Sequence, residues 1–229
     1  MTTLVIADDH PLFRKALATT VREVLPAARC VEADTLATTR AVLAAEPDVD
    51  LVLLDLHMPD SHGLMGLSTL RCEHPAVAVL MISAHDDPHT IRRALAYGAC
   101  GFVSKSAGID EIARALTTVL DCGEYLPDAL RQAVAAGKAP GVDRDLAARL
   151  ALLTPQQFRV LALVAEGKLN KQIADALGVQ ERTVKAHLSA IFERLGVRNR
   201  TQAGVLLRTL ELTDPARGPL RDEGAATEP

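Results

Sequence analysis

Two hydrophobic rhythms alternate along the first 120 residues. Short apolar, β-branched runs occur at Leu4–Ala7, Cys30–Ala33, Leu51–Leu54, Val77–Ile82 and Gly101–Ser104. Between them, apolar residues recur at helical spacing over 12–25, 36–46, 64–73, 88–97 and 108–121. Five strands alternating with five helices predict a doubly wound α/β unit, a parallel sheet covered on both faces. The unbroken Leu51-Val52-Leu53-Leu54 run predicts a central strand buried on both sides.

Beyond 122 the rhythm breaks. Gly123, Pro127, Gly137, Pro140 and Gly141 punctuate an alanine-rich stretch, which predicts a linker over 123–149 with one helix at 127–136. Periodicity returns at Leu153 and lasts to Leu212. Thr154 suits an N-cap and Pro155 the first helical position; Phe158, Leu161, Ala162 and Ala165 share a face, and Gly167 stops the helix. A short helix over 170–177 turns Ile173, Ala174 and Leu177 inward, Gly178-Val179 forms a turn, and a further helix spans 180–195. The tail from 213 to 229 lacks apolar periodicity and is expected to be disordered.

Composition narrows the class. A chain of 229 residues with 48% hydrophobic and 24% charged positions fits two soluble domains. The longest apolar runs, such as Ala76–Ile82, are strand-sized, so no membrane span is expected. The start runs from Met1 through a short apolar stretch into Asp8-Asp9, which fits no signal peptide and predicts a cytoplasmic location. Cys30, Cys72, Cys100 and Cys122 form no CxxC pair and read as reduced, buried thiols. Charge is divided unevenly. Residues 1–120 carry 10 Lys/Arg against 15 Asp/Glu, whereas residues 151–210 carry 9 against 4. A basic second unit suits a polyanion partner.

In a doubly wound sheet, ligands bind beyond the carboxyl ends of the strands. Four predicted strands end there in reactive polar residues: Asp8-Asp9, Asp55, Ser83, and Ser104-Lys105. Three converging carboxylates repel one another unless a cation joins them, and oxygen ligands favour Mg²⁺. A carboxylate beside such an ion can act as nucleophile toward phosphorus, with Lys105 and Ser83 compensating charge. His57, His62, His85 and His89 have no ligand-motif spacing and read as solvated loop histidines.

The segments Val5-Ile6-Ala7-Asp8-Asp9-His10-Pro11-Leu12-Phe13-Arg14, Leu54-Asp55-Leu56-His57-Met58-Pro59, Ser83-Ala84 and Gly98-Ala99-Cys100-Gly101-Phe102-Val103-Ser104-Lys105 resemble the receiver of NarL/FixJ-type two-component response regulators. The resemblance covers roughly 2–122 and places a receiver domain at 1–122. It implies a flavodoxin-like five-stranded sheet of order 2-1-3-4-5, with Asp55 as phosphoacceptor. It further implies Mg²⁺ on Asp8, Asp9, Asp55 and the His57 main-chain carbonyl, and Ser83 and Phe102 as a switch pair. One departure lies in Pro59-Asp60-Ser61-His62-Gly63, where the family usually has Asp or Asn just before the glycine.

Projected at about 100° per residue, the 180–195 helix buries Val184, Leu188, Ile191 and Leu195. Arg182, Lys185, Ala186 and Ser189 lie opposite, with Glu193. A small-residue cationic face of this kind fits a DNA major groove. Leu153-Thr154-Pro155, Asn170-Lys171-Gln172-Ile173-Ala174, Leu177-Gly178-Val179, Arg182-Thr183-Val184-Lys185-Ala186-His187-Leu188 and Asn199-Arg200-Thr201-Gln202-Ala203 resemble the LuxR-type helix-turn-helix. The match covers 150–212 and implies a small four-helix all-α domain, its last helix running from Arg200 to Leu210. By resemblance Lys185, Ala186 and Ser189 face base edges, while Asn170, Lys171, Thr183, Arg198 and Arg200 touch phosphates. Gln157 and Arg159 replace usual glutamates, removing an expected carboxylate contact, and Ser189 stands where basic residues are common.

Together these features predict a transcription factor, not an enzyme. Its expected partners are double-stranded DNA, a sensor histidine kinase and a second copy of itself. Two alternatives compete. A Mg²⁺-dependent phosphatase would use Asp55 as covalent nucleophile, but its second carboxylate, two residues on, is replaced by His57. A transcription factor switched by partner binding would not need the complete acidic pocket.

Overall fold

The computed structural model describes residues 2–128, 130–132 and 141–210. Five parallel strands form the sheet: β1 (Thr3–Ala7), β2 (Arg29–Ala33), β3 (Leu51–Asp55), β6 (Ala78–Ser83) and β7 (Gly101–Ser104), in the order β2-β1-β3-β6-β7. This is the 2-1-3-4-5 order, because β4 (His57–Met58) and β5 (Ser61–His62) form a separate small hairpin after β3. Those two-residue strands are too short to leave a periodic signal. Registers such as Leu4↔Leu51 and Leu54↔Met81 bring the strand ends to one edge.

Side-chain alternation divides the core. Leu4, Ile6, Leu51, Leu53, Leu80 and Ile82 face α1 (Pro11–Val24) and α5 (Ile109–Leu120). Val5, Val52, Leu54, Val79 and Met81 face the other layer, α2 (Leu36–Ala45), α3 (Met65–Glu73) and α4 (Pro88–Ala96). All of these strand residues are essentially inaccessible to solvent, as expected for strands covered on both sides.

The second unit contains α7 (Pro155–Ala165), α8 (Asn170–Leu177), α9 (Glu181–Leu195) and α10 (Arg200–Arg208). Thr154 and Gln157 form a reciprocal capping box at α7. Gly178 and Gly196 end α8 and α9 at φ 64° and 67°, the left-handed conformation that glycine adopts without cost. Phe158, Val160, Leu161, Ile173, Val184, Ile191, Leu195, Ala203 and Leu207 fill this core. Leu177 is half-buried against it.

The predicted linker has more structure than its composition suggested. An additional helix, α6 (Gly141–Ala151), precedes α7 and buries Leu146 and Leu150. Gly141, a helix breaker by composition, is its first residue, and two apolar positions four apart make too narrow a stripe for a helical signal. Residues 128 and 130–132 are helical, and the remainder of the 127–136 prediction lies outside the described residues, as does the 213–229 tail. Tyr125 docks on the free edge of β7. Its N–H donates to Cys100 O (3.0 Å), and its carbonyl accepts from Phe102 N (3.1 Å).

Candidate functional site

The pocket at the carboxyl edge of the sheet is built around one ammonium group. Lys105 Nζ lies 2.6 Å from Asp8 Oδ2 and 2.8 Å from Asp55 Oδ2. Asp55 Oδ1 accepts from Leu56 N at 2.7 Å. Burial pushes the Asp55 carboxyl above its ordinary value and Asp8 adds to this, while Lys105 pulls the other way. Burial also opposes the charge on Lys105, yet its two carboxylates outweigh that and raise the ammonium's pKa.

Beside them, His10 Nδ1 lies 2.6 Å from Asp9 Oδ1. Ligand atoms of Asp8, Asp9, His10 and Asp55 all fall within 4.8 Å of one another, a spacing able to hold a metal ion. The first turn of α1 supports the group: Arg14 Nη1 donates to Asp8 O at 2.5 Å, and Lys105 Nζ stands 4.9 Å from the Phe13 ring centroid. Phe13 and Arg14 belong to the Val5–Arg14 motif, but the sequence by itself assigns neither a role.

Ser83 and Phe102, the expected switch pair, are both buried. Ser83 Oγ accepts from His85 N at 3.0 Å, and Ser83 O accepts from Lys105 N at 2.8 Å. The Phe102 ring is wholly inaccessible, so any rotation occurs inside the protein.

The histidines differ from the expectation of solvated loops. His57 belongs to β4 and is buried, its ring edge-on to His85 at 5.3 Å. His62 and His89 are exposed. The Pro59-Asp60-Ser61-His62-Gly63 segment also caps α2: Asp60 accepts from Leu36 N and Ala37 N, both at 2.8 Å, whereas His62, the residue that departs from the family pattern, is exposed. Gly63 follows at φ 58°.

In the helical unit, α9 buries Val184, Leu188, Ile191 and Leu195, the predicted stripe. Arg182, Lys185, Ala186 and Ser189 are exposed on its other side. Lys185 pairs with Glu181 at 3.4 Å, and Ser189 Oγ donates to Lys185 O at 3.2 Å. Lys171 and Arg198 are exposed and Thr183 is half-buried. Arg200 is turned inward, donating to Asn170 Oδ1 at 3.1 Å and to Lys168 O.

Comparison with known proteins accounts for both halves. Residues 4–117 match the response regulator receiver domain, and residues 151–207 match the LuxR family of bacterial regulatory proteins. The glycerol metabolism activator of Pseudomonas putida is 39% identical over 206 residues, covering 87% of this chain and 92% of that protein. The transcriptional regulatory protein LnrK of Bacillus subtilis is 34% identical over 218 residues, covering 90% and 96%. The chain belongs to the response regulators that join a receiver to a LuxR-type DNA-binding domain. Members of this family are transcriptional regulators and not enzymes. RcsB from Salmonella enterica serovar Typhimurium, solved with promoter rprA, shares the fold at TM-score 0.55 and 20% identity, covering 92% of this chain and all of that one. Among the described residues, no helix is long and apolar enough to cross a membrane.

Against this family background, the two departures in α7 acquire partners. Gln157 Oε1 accepts from Arg194 Nη1 at 2.7 Å, so an amide replaces the expected carboxylate. Arg159 reaches the receiver, its Nε 2.7 Å from Glu73 Oε1, while Arg40 Nε binds Glu73 Oε2 at 2.6 Å. Burial opposes ionisation of Glu73, but the two guanidiniums outweigh it and hold the carboxyl below its ordinary value. Nearby, Cys72 Sγ donates to Leu153 O at 3.3 Å; burial and Glu73 push this thiol up to about 11. At the other end, Leu64 N donates to Leu210 O at 3.0 Å, and buried Arg93 of α4 donates to Thr209 O. The receiver thus grips the LuxR-type domain through α3, α4 and the loop after the β4–β5 hairpin, leaving the outer face of α9 open.

Proposed function

We propose that this response regulator is switched by phosphorylation of Asp55 from a sensor histidine kinase, and that the switch controls binding to double-stranded DNA. The observation carrying this reading is Lys105 on Asp8 and Asp55, at the sheet edge where a phosphoryl group would enter. Transfer breaks the P–N bond of a phosphohistidine and forms a P–O bond to Asp55, giving an acyl phosphate. The donor nitrogen keeps the electron pair and takes a proton from solvent. Lys105 compensates charge on the phosphoryl oxygens, and the Ser83 hydroxyl turns from His85 N to donate to one of them.

The clustered carboxylates of Asp8, Asp9 and Asp55 suit a hard cation; with the His57 main-chain carbonyl, which the resemblance implies, they are the residues that would hold Mg²⁺. When bound, Mg²⁺ neutralises charge between the carboxylates and the entering phosphate. Exposed Leu12 and Ile109, which follow the Asp8-Asp9 and Lys105 segments, offer apolar contact to the kinase.

Release follows from which elements grip the DNA-binding domain. Leu64 lies in the loop that begins at Asp55, and Arg93 lies on the helix after Ser83. Rearrangement of this loop and helix weakens the grip, a population shift from closed to open. The freed domains pair as a homodimer on DNA in the cytoplasm. Lys185, Ala186 and Ser189 face bases, with Arg182 on the same helix face, while Asn170, Lys171, Thr183, Arg198 and Arg200 approach phosphates. The domain limits that serve this reading are 1–122 for the receiver and 150–212 for the DNA-binding part, joined through 123–149.

Incubation with Mg²⁺ and a small-molecule phosphodonor, followed by intact mass and peptide mapping, tests the first step. A single phosphoryl group on Asp55, absent from Asp55→Asn, is expected. No incorporation from donor or kinase would overturn phosphorylation control.

A further inference from the structure

We infer that Phe13 is a positioning residue for phosphoryl transfer, its ring face holding the Lys105 ammonium over Asp55. This rests on the proposed phosphorylation of Asp55. Lys105 Nζ has two kinds of contact in the pocket: carboxylates at 2.6 and 2.8 Å, and the Phe13 ring centroid at 4.9 Å. The ring's quadrupole attracts a cation, most strongly where water is scarce, and the Lys105 side chain is only 15% exposed.

The two kinds of contact respond differently to the working cycle. Asp8, Asp9 and Asp55, the residues that would hold a divalent ion, would then share their oxygens between it and the ammonium. Phosphorylation then removes the negative charge from the Asp55 oxygen that bridges to phosphorus in the acyl phosphate. The ring changes in neither step. A lysine held by carboxylates alone would lose its partners at the moment it must meet the phosphoryl oxygens, and its long chain would be free to leave for solvent.

Local sequence explains why Phe13 can do this. Pro11 at the first helical position fixes where α1 starts, directly after the acidic pair. Phe13 is half-buried and packed against the core shared with α5. The next residue, Arg14, donates to Asp8 O and pairs with Glu32 at 3.1 Å. One helical turn therefore fixes the backbone of an acidic residue and the head of the lysine together.

The test is the rate of Asp55 phosphorylation by a small-molecule donor in Mg²⁺, measured on the full chain. Phe13→Leu keeps apolar bulk and removes the quadrupole, and the expected slowing is about 3- to 30-fold, the range of a desolvated cation–π contact. Phe13→Tyr retains the rate. Replacing Phe13 by progressively fluorinated phenylalanines keeps the shape, so folding is not at issue, and the rate should fall with each fluorine. In a Lys105→Met background, Phe13→Leu should have no further effect. A Phe13→Leu or fluorinated protein as fast as the unmodified chain overturns the inference, as does equal slowing with and without Lys105. Failure of the unmodified chain to be phosphorylated would instead count against the function proposed for Asp55.

Discussion

Arg159 of the DNA-binding domain donates to Glu73 of the receiver at 2.7 Å, on a carboxylate that Arg40 holds through both oxygens. The pair joins the two domains through Arg159, a position at which the resemblance implies a glutamate. Arg159 is 44% exposed, so solvent screening limits the contact to about 0.5–1 kcal/mol. Arg159→Ala should therefore raise the open population about 2- to 5-fold. Fluorescence energy transfer between labels on the two domains measures it. An Arg159→Ala protein as closed as the unmodified one would show that the apolar contact alone holds the domains.

The same carboxylate sets a pH dependence. Glu73 has a folded pKa below its ordinary value of 4.5, so its contribution is complete above about 4.5 and is lost as pH falls through the lower folded value. The stability difference between the protein and Glu73→Gln, from urea unfolding, should accordingly be constant from pH 7 to 5 and shrink on further acidification. A difference that grows toward low pH would reverse the sign and contradict the assigned pairing.

Gly101 meets a different constraint. A Cβ at this position would collide with the Tyr125 carbonyl oxygen. Gly101→Val should destabilise the receiver by about 1–3 kcal/mol, as overpacking does. It should also raise hydrogen exchange at the Phe102 and Tyr125 amides, whose bonds tie the chain to β7. Unchanged exchange at both amides would mean that the chain beyond α5 does not depend on this edge.

On DNA, exposed Lys185 and Arg198 should separate by kind. Lys185→Ala should cost about 1–3 kcal/mol on the preferred site and relax its sequence preference. Arg198→Ala should weaken binding evenly across sequences and reduce the salt slope by about 1. Titrations of matched and scrambled duplexes at several salt concentrations distinguish them. Identical profiles would place both residues on the phosphate backbone.

The sheet was legible because its inner strands β1, β3 and β6 are buried on both faces and each strand is separated from the next by a helix. The acidic pocket was legible because Asp8, Asp9, Asp55 and Lys105 all end strands on one edge. What escaped notice depends on distant pairing. The β4–β5 hairpin is two residues per strand. Helix α6 presents only Leu146 and Leu150 to the core, and Tyr125 joins the sheet through its backbone alone. Arg159 registered only as a missing glutamate, because its partner lies 86 positions away. His57 looked like a loop residue until the hairpin buried it.

The most direct test is the affinity of the full chain for a promoter fragment, measured with Mg²⁺ alone, with Mg²⁺ and a phosphodonor, and for Asp55→Asn with both. Tighter binding only for the unmodified chain with donor is the predicted result. Equal affinity in all three would contradict control of DNA binding through Asp55.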